Sequence, residues 1–406
     1  MIVTQCHLRF GLAVTRGLLS VGRPVVAAGS GKSGMCAGLE GVVGEVKCPD
    51  PFEHPLEYAR ELREAAERFG AVAVLPAHED SFVVARYRAE LEPEVTVLAP
   101  RFRSLVSAQD KGRLADRGCP AGVPVPETRC VFTPDEAARA IDEIGLPIVV
   151  KRRFGSGAHA LVTLHTWRDL ERKQRALRRA LMAPCVVQRW VAGRAVCVGG
   201  LVVRGRVRAL AGHLRLRELP RRGGASTARL TFRVPALELA ASRLLEVAGI
   251  EGVGMVEFRF DPITQRFHAI EMNPRYWGGL ACAIASGVNF PALHVATALG
   301  GVIDEGVVVP DRIVESRWAL GEAAWAMSSI AALHPGGLGD MRGDGVTDVT
   351  YEDLPSGRIR PLWREGLAHA ESFLRHGNFG GHGRAKARFF ADAHERSIHV
   401  TRGGAA

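Results

Sequence analysis

Two glutamates and an asparagine are the residues most suited to chemistry. Residues 254–279 read G-M-V-E-F-R-F-D-P-I-T-Q-R-F-H-A-I-E-M-N-P-R-Y-W-G-G, two β-like runs around the turn residues Asp261, Pro262, Ile263 and Thr264. A hairpin is expected. Centred on Thr264, its register sets Val256 against Met272, Phe258 against Ile270 and Glu257 against Glu271, with Asn273 two positions on. Opposed carboxylates repel unless a cation lies between them. Two carboxylates and an amide carbonyl are hard oxygen ligands that suit Mg²⁺, which fills its octahedron with water and phosphate oxygens. The alternative is a wetted hairpin face balanced by Arg259.

Lysine is the second signal. Only six of the 53 basic residues are lysine: Lys32, Lys47, Lys111, Lys151, Lys173 and Lys386. Lys151 ends an apolar run, residues 147–151, and opens into Phe154, Gly155, Ser156 and Gly157. From a strand end an ammonium can reach a phosphate while Gly155 and Gly157 offer backbone N–H groups. Lys111, in Gln109-Asp110-Lys111, also stands at the start of an element; for either lysine the bland alternative is a surface charge. A third candidate, G-S-G-K-S at residues 29–33, imitates a phosphate loop, but Val26 stands where that pattern needs glycine and no periodic helix follows.

The elements that must position these groups follow from periodicity. Residues 1–6, 24–28 and 71–75 read as strands and 8–21 and 56–69 as helices, an alternation that implies parallel strands with crossover helices. A helix is expected over 134–144 with Thr133 as its cap, a strand over 147–151, a basic helix over 167–181, and strands over 186–191, 196–203 and 207–216. An Arg/Gly-rich loop over 220–227 and a helix over 235–248 come next. The last ninety or so residues read as Gly-rich and irregular apart from helices over 318–333 and 362–374. His78, Glu79 and Asp80 follow a strand at the carboxyl edge where α/β sheets bind ligands, although three polar loop residues can equally face solvent.

In this order the pieces resemble the ATP-grasp carboxylate–amine ligases, whose nucleotide domain is like that of carbamoyl-phosphate synthases and biotin carboxylases. Matching are Asp110-Lys111, residues 147–151 with their glycine loop, V-Q-R-W-V-A-G at 187–193, Glu257, and E-M-N-P-R at 271–275. The resemblance implies that Lys111 and Lys151 hold ATP phosphates with Gly155 and Gly157. It implies that Gln188, Arg189 and Val191 meet adenine, that Glu257, Glu271 and Asn273 ligate magnesium (Mn²⁺ being an allowed substitute), and that Arg275 lies near an acyl phosphate. Residues 213–224, H-L-R-L-R-E-L-P-R-R-G-G, follow a segment that relatives place beside the substrate carboxylate, so Arg215 or Arg217 is expected to grip a carboxylate or phosphate. Relatives use the edge at His78, Glu79 and Asp80 for the carboxylate substrate too. Arg189 stands where relatives often have Glu, and Arg194 and Ala195 where they often place an acidic ribose contact.

The implied fold is α/β and α+β: an N-terminal parallel α/β domain over 1–105, a two-lobed ATP-grasp domain with antiparallel sheets over 106–305, split at 190/191, and a C-terminal extension over 306–406. The implied activity joins a carboxylate to an amine through an acyl phosphate, which ATP creates by making oxygen a leaving group; 154–157 and 222–227 are the candidate lids. An ATP-grasp carboxylase or kinase using another acceptor is the alternative within enzymes. A nucleic-acid-binding protein using residues 151–233 is the alternative outside them.

Composition bears on that last reading. The chain has 406 residues and a formal charge of +10, a balance that raises nucleic acid or an acidic membrane as partner. Residues 151–233 hold 20 basic and 3 acidic residues, leaving 33 against 40 elsewhere. The excess therefore belongs to one stretch, and ATP and an acidic substrate are the expected anions, with nucleic acid disfavoured and a homodimer left open. Arg172, Lys173, Arg175, Arg178 and Arg179 read more simply as a solvated helix face. No run of about 18 apolar residues or signal-peptide pattern occurs, so no membrane association and a cytoplasmic location are expected. The eight scattered cysteines read as buried or free thiols.

Overall fold

The computed structural model describes residues 1–30, 34–92, 94–155, 161–219, 224–303, 306–331 and 348–354, with positions 364, 366, 385, 386, 389 and 390. Gly157 and Arg222, and the helix expected over 362–374 apart from positions 364 and 366, lie outside the described residues.

Three sheets organise the chain. The first comprises β1 (Ile2–Val3), β2 (Val25–Gly29), β3 (Val42–Lys47), β4 (Ala73–Leu75) and β5 (Thr96–Val97), all parallel in the order β3-β2-β1-β4-β5. Helices Arg9–Leu19 and Pro55–Phe69 supply crossovers, as their apolar spacing predicts. The strand β3 escaped sequence reading because it is an edge strand, mostly exposed, with one buried residue of six.

The second sheet is antiparallel and comprises β6 (Thr128–Val131), β7 (Ile148–Arg152), β8 (Val162–Leu164) and β9 (Cys185–Arg189), ordered β6-β9-β7-β8. The helix Pro134–Ile144 packs on it through Ala137, Ala140, Ile141 and Ile144. Thr133 Oγ1 accepts from the Glu136 N–H at 3.2 Å while the Glu136 carboxylate accepts from the Thr133 N–H at 3.3 Å, a reciprocal cap. The helix expected over 167–181 is two helices, Trp167–Arg172 and Gln174–Ala180, with Lys173 out of helical conformation between them. Arg172, Arg175, Arg178 and Arg179 are exposed there, as a solvated face requires.

The third sheet has seven strands: β10 (Ala195–Val203), β11 (Arg206–Leu219), β12 (Ala225–Phe232), β13 (Gly252–Asp261), β14 (Arg266–Asn273), β15 (Glu315–Arg317) and β16 (Val349–Tyr351). Its order is β14-β13-β10-β11-β12-β15-β16, antiparallel except at β15–β16. Residues 225–227, read from sequence as loop and lid, are instead the start of β12, with Ser226 and Thr227 buried. Gly199 in β10 lets the Trp277 ring lie against the backbone, since a Cβ there would stand 1.9 Å from it.

A buried charge cluster ties the segment just past β16 to the first helix and to β12. Glu352, just past β16, is paired by Arg9 at 2.8 Å and by Arg229 of β12, and accepts from the Ser316 hydroxyl at 2.9 Å. Asp353 accepts the first N–H groups of helix Ala319–Ala331, from Ala319 and Leu320. Burial foremost, with Arg9 beside it, pulls Arg229 down to about 9. Removing the shared acceptor leaves two buried guanidinium groups facing each other, so Glu352→Ala should lower the unfolding free energy by about 3–5 kcal/mol, read from urea denaturation. A change under about 1 kcal/mol would show that the cluster is not under this constraint.

Candidate functional site

The β13–β14 hairpin builds the floor of the site. Glu257 stands directly opposite Glu271, Val256 opposite Met272 and Met255 opposite Asn273. The expected Phe258–Ile270 pair does not form: a bulge between Glu257 and Phe258 sets Ala269 against Phe258 and leaves Ile270 unpaired. The bulge frees the Ile270 carbonyl, which accepts from Lys151 Nζ at 2.9 Å.

Cations from three directions answer the two carboxylates. Lys151, next to last in β7, is buried and stands beside Glu271. Lys111 arrives from the turn Lys111–Arg113, capped by Asp110, whose carboxylate accepts from the Gly112 N–H at 2.9 Å. Its ammonium lies 3.2 Å from Glu271 Oε1 and donates to the Gly155 carbonyl at 2.8 Å. Gly155 adopts φ +104°, a conformation that favours glycine. Arg215, from β11, is paired with Glu257 and lies 3.4 Å from Glu218. Arg153, which sequence reasoning passed over, fixes Asp110 and hence the Lys111 turn, with Nε 3.0 Å from Oδ1. Its signal was present in the run Lys151-Arg152-Arg153.

Electrostatics separate the two glutamates. Burial raises Glu257, helped by Glu271 and opposed by Arg215. Burial acts in the same sense on Glu271, but Lys111 and Lys151 outweigh it and hold that group below the ordinary value. Lys151 is lowered to about 8, chiefly by burial, against the pull of Glu271. Burial also pulls on Arg215, but Cys197, Glu257 and Glu218 keep its pKa raised. The donor set of two carboxylates and the Asn273 amide oxygen fits Mg²⁺. Among the described residues no cluster of three His, Cys, Asp or Glu offers a competing metal site.

The other expected residues separate into those on this centre and those off it. Arg275 is buried; it donates to Asn273 Oδ1 at 3.0 Å and lies 3.7 Å from Glu79, while its Nε has no hydrogen-bond partner. Arg217 is instead held in a buried pair with Glu322, its Nε 2.8 Å from Oε2, and lies 3.6 Å from Glu315. Gln188 is buried on β9 and donates to Thr128 Oγ1 at 2.9 Å. The Arg189 side chain turns outward to Glu127 at 3.0 Å and the Ile144 carbonyl at 2.6 Å. Val191 is buried just beyond. His78, Glu79 and Asp80 are mostly buried rather than solvent-facing, with His78 stacked on Phe10 at 4.0 Å.

Residues 193–319 match the family model described as ATP-grasp in the biosynthetic pathway with Ter operon. Over 224 residues the chain is 25% identical to the carbamoyl phosphate synthase large chain of Pyrococcus furiosus, covering 52% of this chain and 21% of that one. Over 254 residues it is 23% identical to the carbamoyl phosphate synthase large chain of Ralstonia nicotianae, covering 59% and 23%. Over 65 residues it is 37% identical to the acetyl-CoA carboxylase of Schizosaccharomyces pombe, covering 16% and 3%. The chain thus spans under a quarter of the length of these curated relatives. In fold it is similar to the biotin carboxylase domain dimer of Hydrogenobacter thermophilus 2-oxoglutarate carboxylase, solved with MgADP, ADP and bicarbonate: TM-score 0.63, 18% identity, 77% of this chain and 72% of that one. The L-amino acid ligase from Bacillus licheniformis is similar at TM-score 0.58 and 18% identity, covering 77% of each chain. Among the described residues no helix is long and apolar enough to cross a membrane.

One acid at the edge of the site gives a pH signature. Asp80 accepts from the Thr4 hydroxyl, from Tyr58 OH at 3.0 Å and from the His78 N–H at 3.1 Å, yet burial wins and raises it from 3.8 to about 6. Between those values the folded chain keeps a proton that the unfolded chain has lost. This group's stabilisation is therefore complete below about pH 4 and lost as pH rises through about 6. The stability difference between the parent and Asp80→Asn should shift against the parent by about 3 kcal/mol across that window, measured by urea unfolding at each pH. A difference that stays flat contradicts the assignment.

Proposed function

We propose that this chain, which carries an ATP-grasp domain similar to those of carbamoyl phosphate synthase large chains and biotin carboxylases, is an Mg·ATP-dependent ligase joining a carboxylate to an amine. The supporting observation is the convergence of Lys111, Lys151 and Arg215 on the opposed Glu257 and Glu271. Five charged groups from two sheets and a turn meet where charge moves during phosphoryl transfer.

In the reaction a carboxylate oxygen attacks the γ-phosphorus, ADP leaves, and an acyl phosphate forms. The amine then attacks the acyl carbon, phosphate leaves, and the nitrogen gives up a proton. Magnesium held by Glu257, Glu271 and Asn273 would supply neutralisation of phosphate charge. Lys111 and Lys151 act as compact point charges toward phosphate oxygens, next to the Gly155 backbone. Arg275 offers its unpartnered Nε to an acyl phosphate oxygen, while its other nitrogens stay anchored on Asn273 and the Tyr276 carbonyl. Gln188, Arg189 and Val191, at and just beyond the end of β9, supply the hinge that meets adenine. Gly157, in our reading, completes the phosphate loop. We assign Arg215 to the substrate anion and Arg217 to holding helix Ala319–Ala331 against β11.

The likeness to a biotin carboxylase domain solved with bicarbonate favours a second reading, transfer to bicarbonate. A screen of ADP release against amino acids, peptides and bicarbonate, with mass identification of the product, separates the two. Release that requires both a carboxylate and an amine supports the ligase, and release with bicarbonate alone supports the carboxylase. In either case Glu271→Gln should cut ADP formation by at least about 10²-fold with the fold retained; full turnover in that variant refutes the metal assignment.

The two arginines give a paired test. Arg215→Ala should lower kcat/KM for the carboxylate by about 10²-fold when assayed at a temperature where the variant is fully folded. Arg217→Ala should instead lower Tm, because it takes the buried Glu322 carboxylate's cation away. An unchanged carboxylate KM and kcat in Arg215→Ala would remove that residue from the site.

A further inference from the structure

Lys386, the last of the six lysines, has no part in the proposed reaction, yet it reaches the same centre. Ala385, Lys386, Phe389 and Phe390 have helical backbone, and spacings of three and four place Lys386 and both phenylalanines on one face. Phe389 and Phe390 are buried in the core beside the parallel sheet. Phe389 meets the edges of Phe52 and Phe102 at 5.6 and 6.1 Å and lies under the Arg86 guanidinium at 5.0 Å. Phe390 meets Phe82 edge-on at 4.8 Å and stacks on Phe154 at 5.9 Å with planes 10° apart.

Each contact continues into the site. Phe154 precedes Gly155, whose carbonyl accepts from Lys111, the partner of Glu271. Lys386 pairs with Glu79 of the N-terminal domain; Glu79 lies 3.7 Å from Arg275, which donates to Asn273 Oδ1. One short segment thus touches the root of the glycine loop and, through a single carboxylate, the arginine beside the metal-ligand asparagine. Lys386 holds the Glu79 carboxylate at the place from which it meets Arg275. Without Lys386 that carboxylate loses one of its anchors, and Arg275 loses a fixed neighbour beside Asn273.

We propose that Lys386 and Phe390 complete the catalytic centre, Lys386 acting as a positioning residue that fixes Arg275 through Glu79 and Phe390 as one that fixes the glycine-loop root through Phe154. The assignment rests on the ATP-dependent reading for its kinetic consequences and on packing alone for its structural ones.

The experiment uses the full chain and three variants, Lys386→Met, Lys386→Arg and Phe390→Ala, each checked for folding by thermal melting. In ADP-release assays Lys386→Met should lower kcat about tenfold with KM for MgATP within twofold, and Lys386→Arg should restore most of it. Phe390→Ala should raise KM for MgATP about fivefold. Hydrogen exchange without nucleotide gives the independent measure. Peptides covering 150–155 should exchange faster in Phe390→Ala, and those covering 273–279 faster in Lys386→Met. If the parent releases no ADP with any acceptor, the ligase reading fails and exchange alone decides the positioning. Exchange in both peptides matching the parent overturns the proposal, as does a Lys386→Met enzyme with parental kcat and KM.

Discussion

Setting two glutamates face to face, Glu257 buried and Glu271 half-buried, is the constraint that the rest of the molecule answers. The hairpin gives Glu257 and Glu271 no choice: their register is set by the apolar residues Val256 and Met272 on the other side, and a slip of one residue would expose that core. Repulsion between the carboxylates must therefore be met by cations, and the fold delivers them from outside the hairpin. Lys111 and Lys151 approach Glu271 from a turn and a strand of the second sheet, and Arg215 approaches Glu257 from its own sheet. A site whose parts come from separate elements can change its pairings when those elements move. That is what the proposed nucleotide site requires between binding and release.

The same principle explains the arginine excess. In residues 151–233, Arg153 pairs with Asp110, Arg189 with Glu127, Arg206 with Glu246, Arg217 with Glu322, Arg229 with Glu352 and Arg233 with Glu238. Every one of those acids lies outside the segment, so the basic stretch and the acidic remainder are two halves of one internal pairing. Much of the charge that suggests polyanion binding is already answered within the chain. The arginines exposed on Trp167–Arg172 and Gln174–Ala180, together with Arg194 and Arg204, face solvent. A surface of that kind supports weak, salt-sensitive contacts better than a specific nucleic-acid interface.

Legibility followed local determinism. The parallel alternation of the first sheet, the capped helix Pro134–Ile144 and the Glu257–Glu271 register were readable because periodicity, capping chemistry and turn residues each act over a few positions. The Ile270 bulge was not readable, since one extra residue leaves the apolar pattern intact while changing which carbonyl Lys151 meets. The strand β12 was hidden by the arginines and glycines before it, and its burial comes from neighbours β11 and β15 rather than from its own sequence. Arg215 and Arg217 looked equivalent, two residues apart on one strand. Irregularities between Arg215, Arg217 and Glu218 break that equivalence, giving one to Glu257 and the other to Glu322.

The division of labour between lysine and arginine then has a physical reason. Arginine's planar fork suits fixed carboxylate pairs, and the chain uses it to join distant segments, as in Arg9–Glu352 and Arg217–Glu322. Lysine's single ammonium on a flexible stem holds no geometry of its own, and burial lowers its pKa, as at Lys151. At a place where, in the proposed reaction, phosphate oxygens are received and released, that adaptability is the useful property. Substituting arginine at 111 or 151 would lock a fork onto Glu271 that a nucleotide then has to break. At 111 and 151 lysine thus stands where, in the proposed reaction, a pairing has to be reversible, while Arg9 and Arg217 hold pairs that have to last.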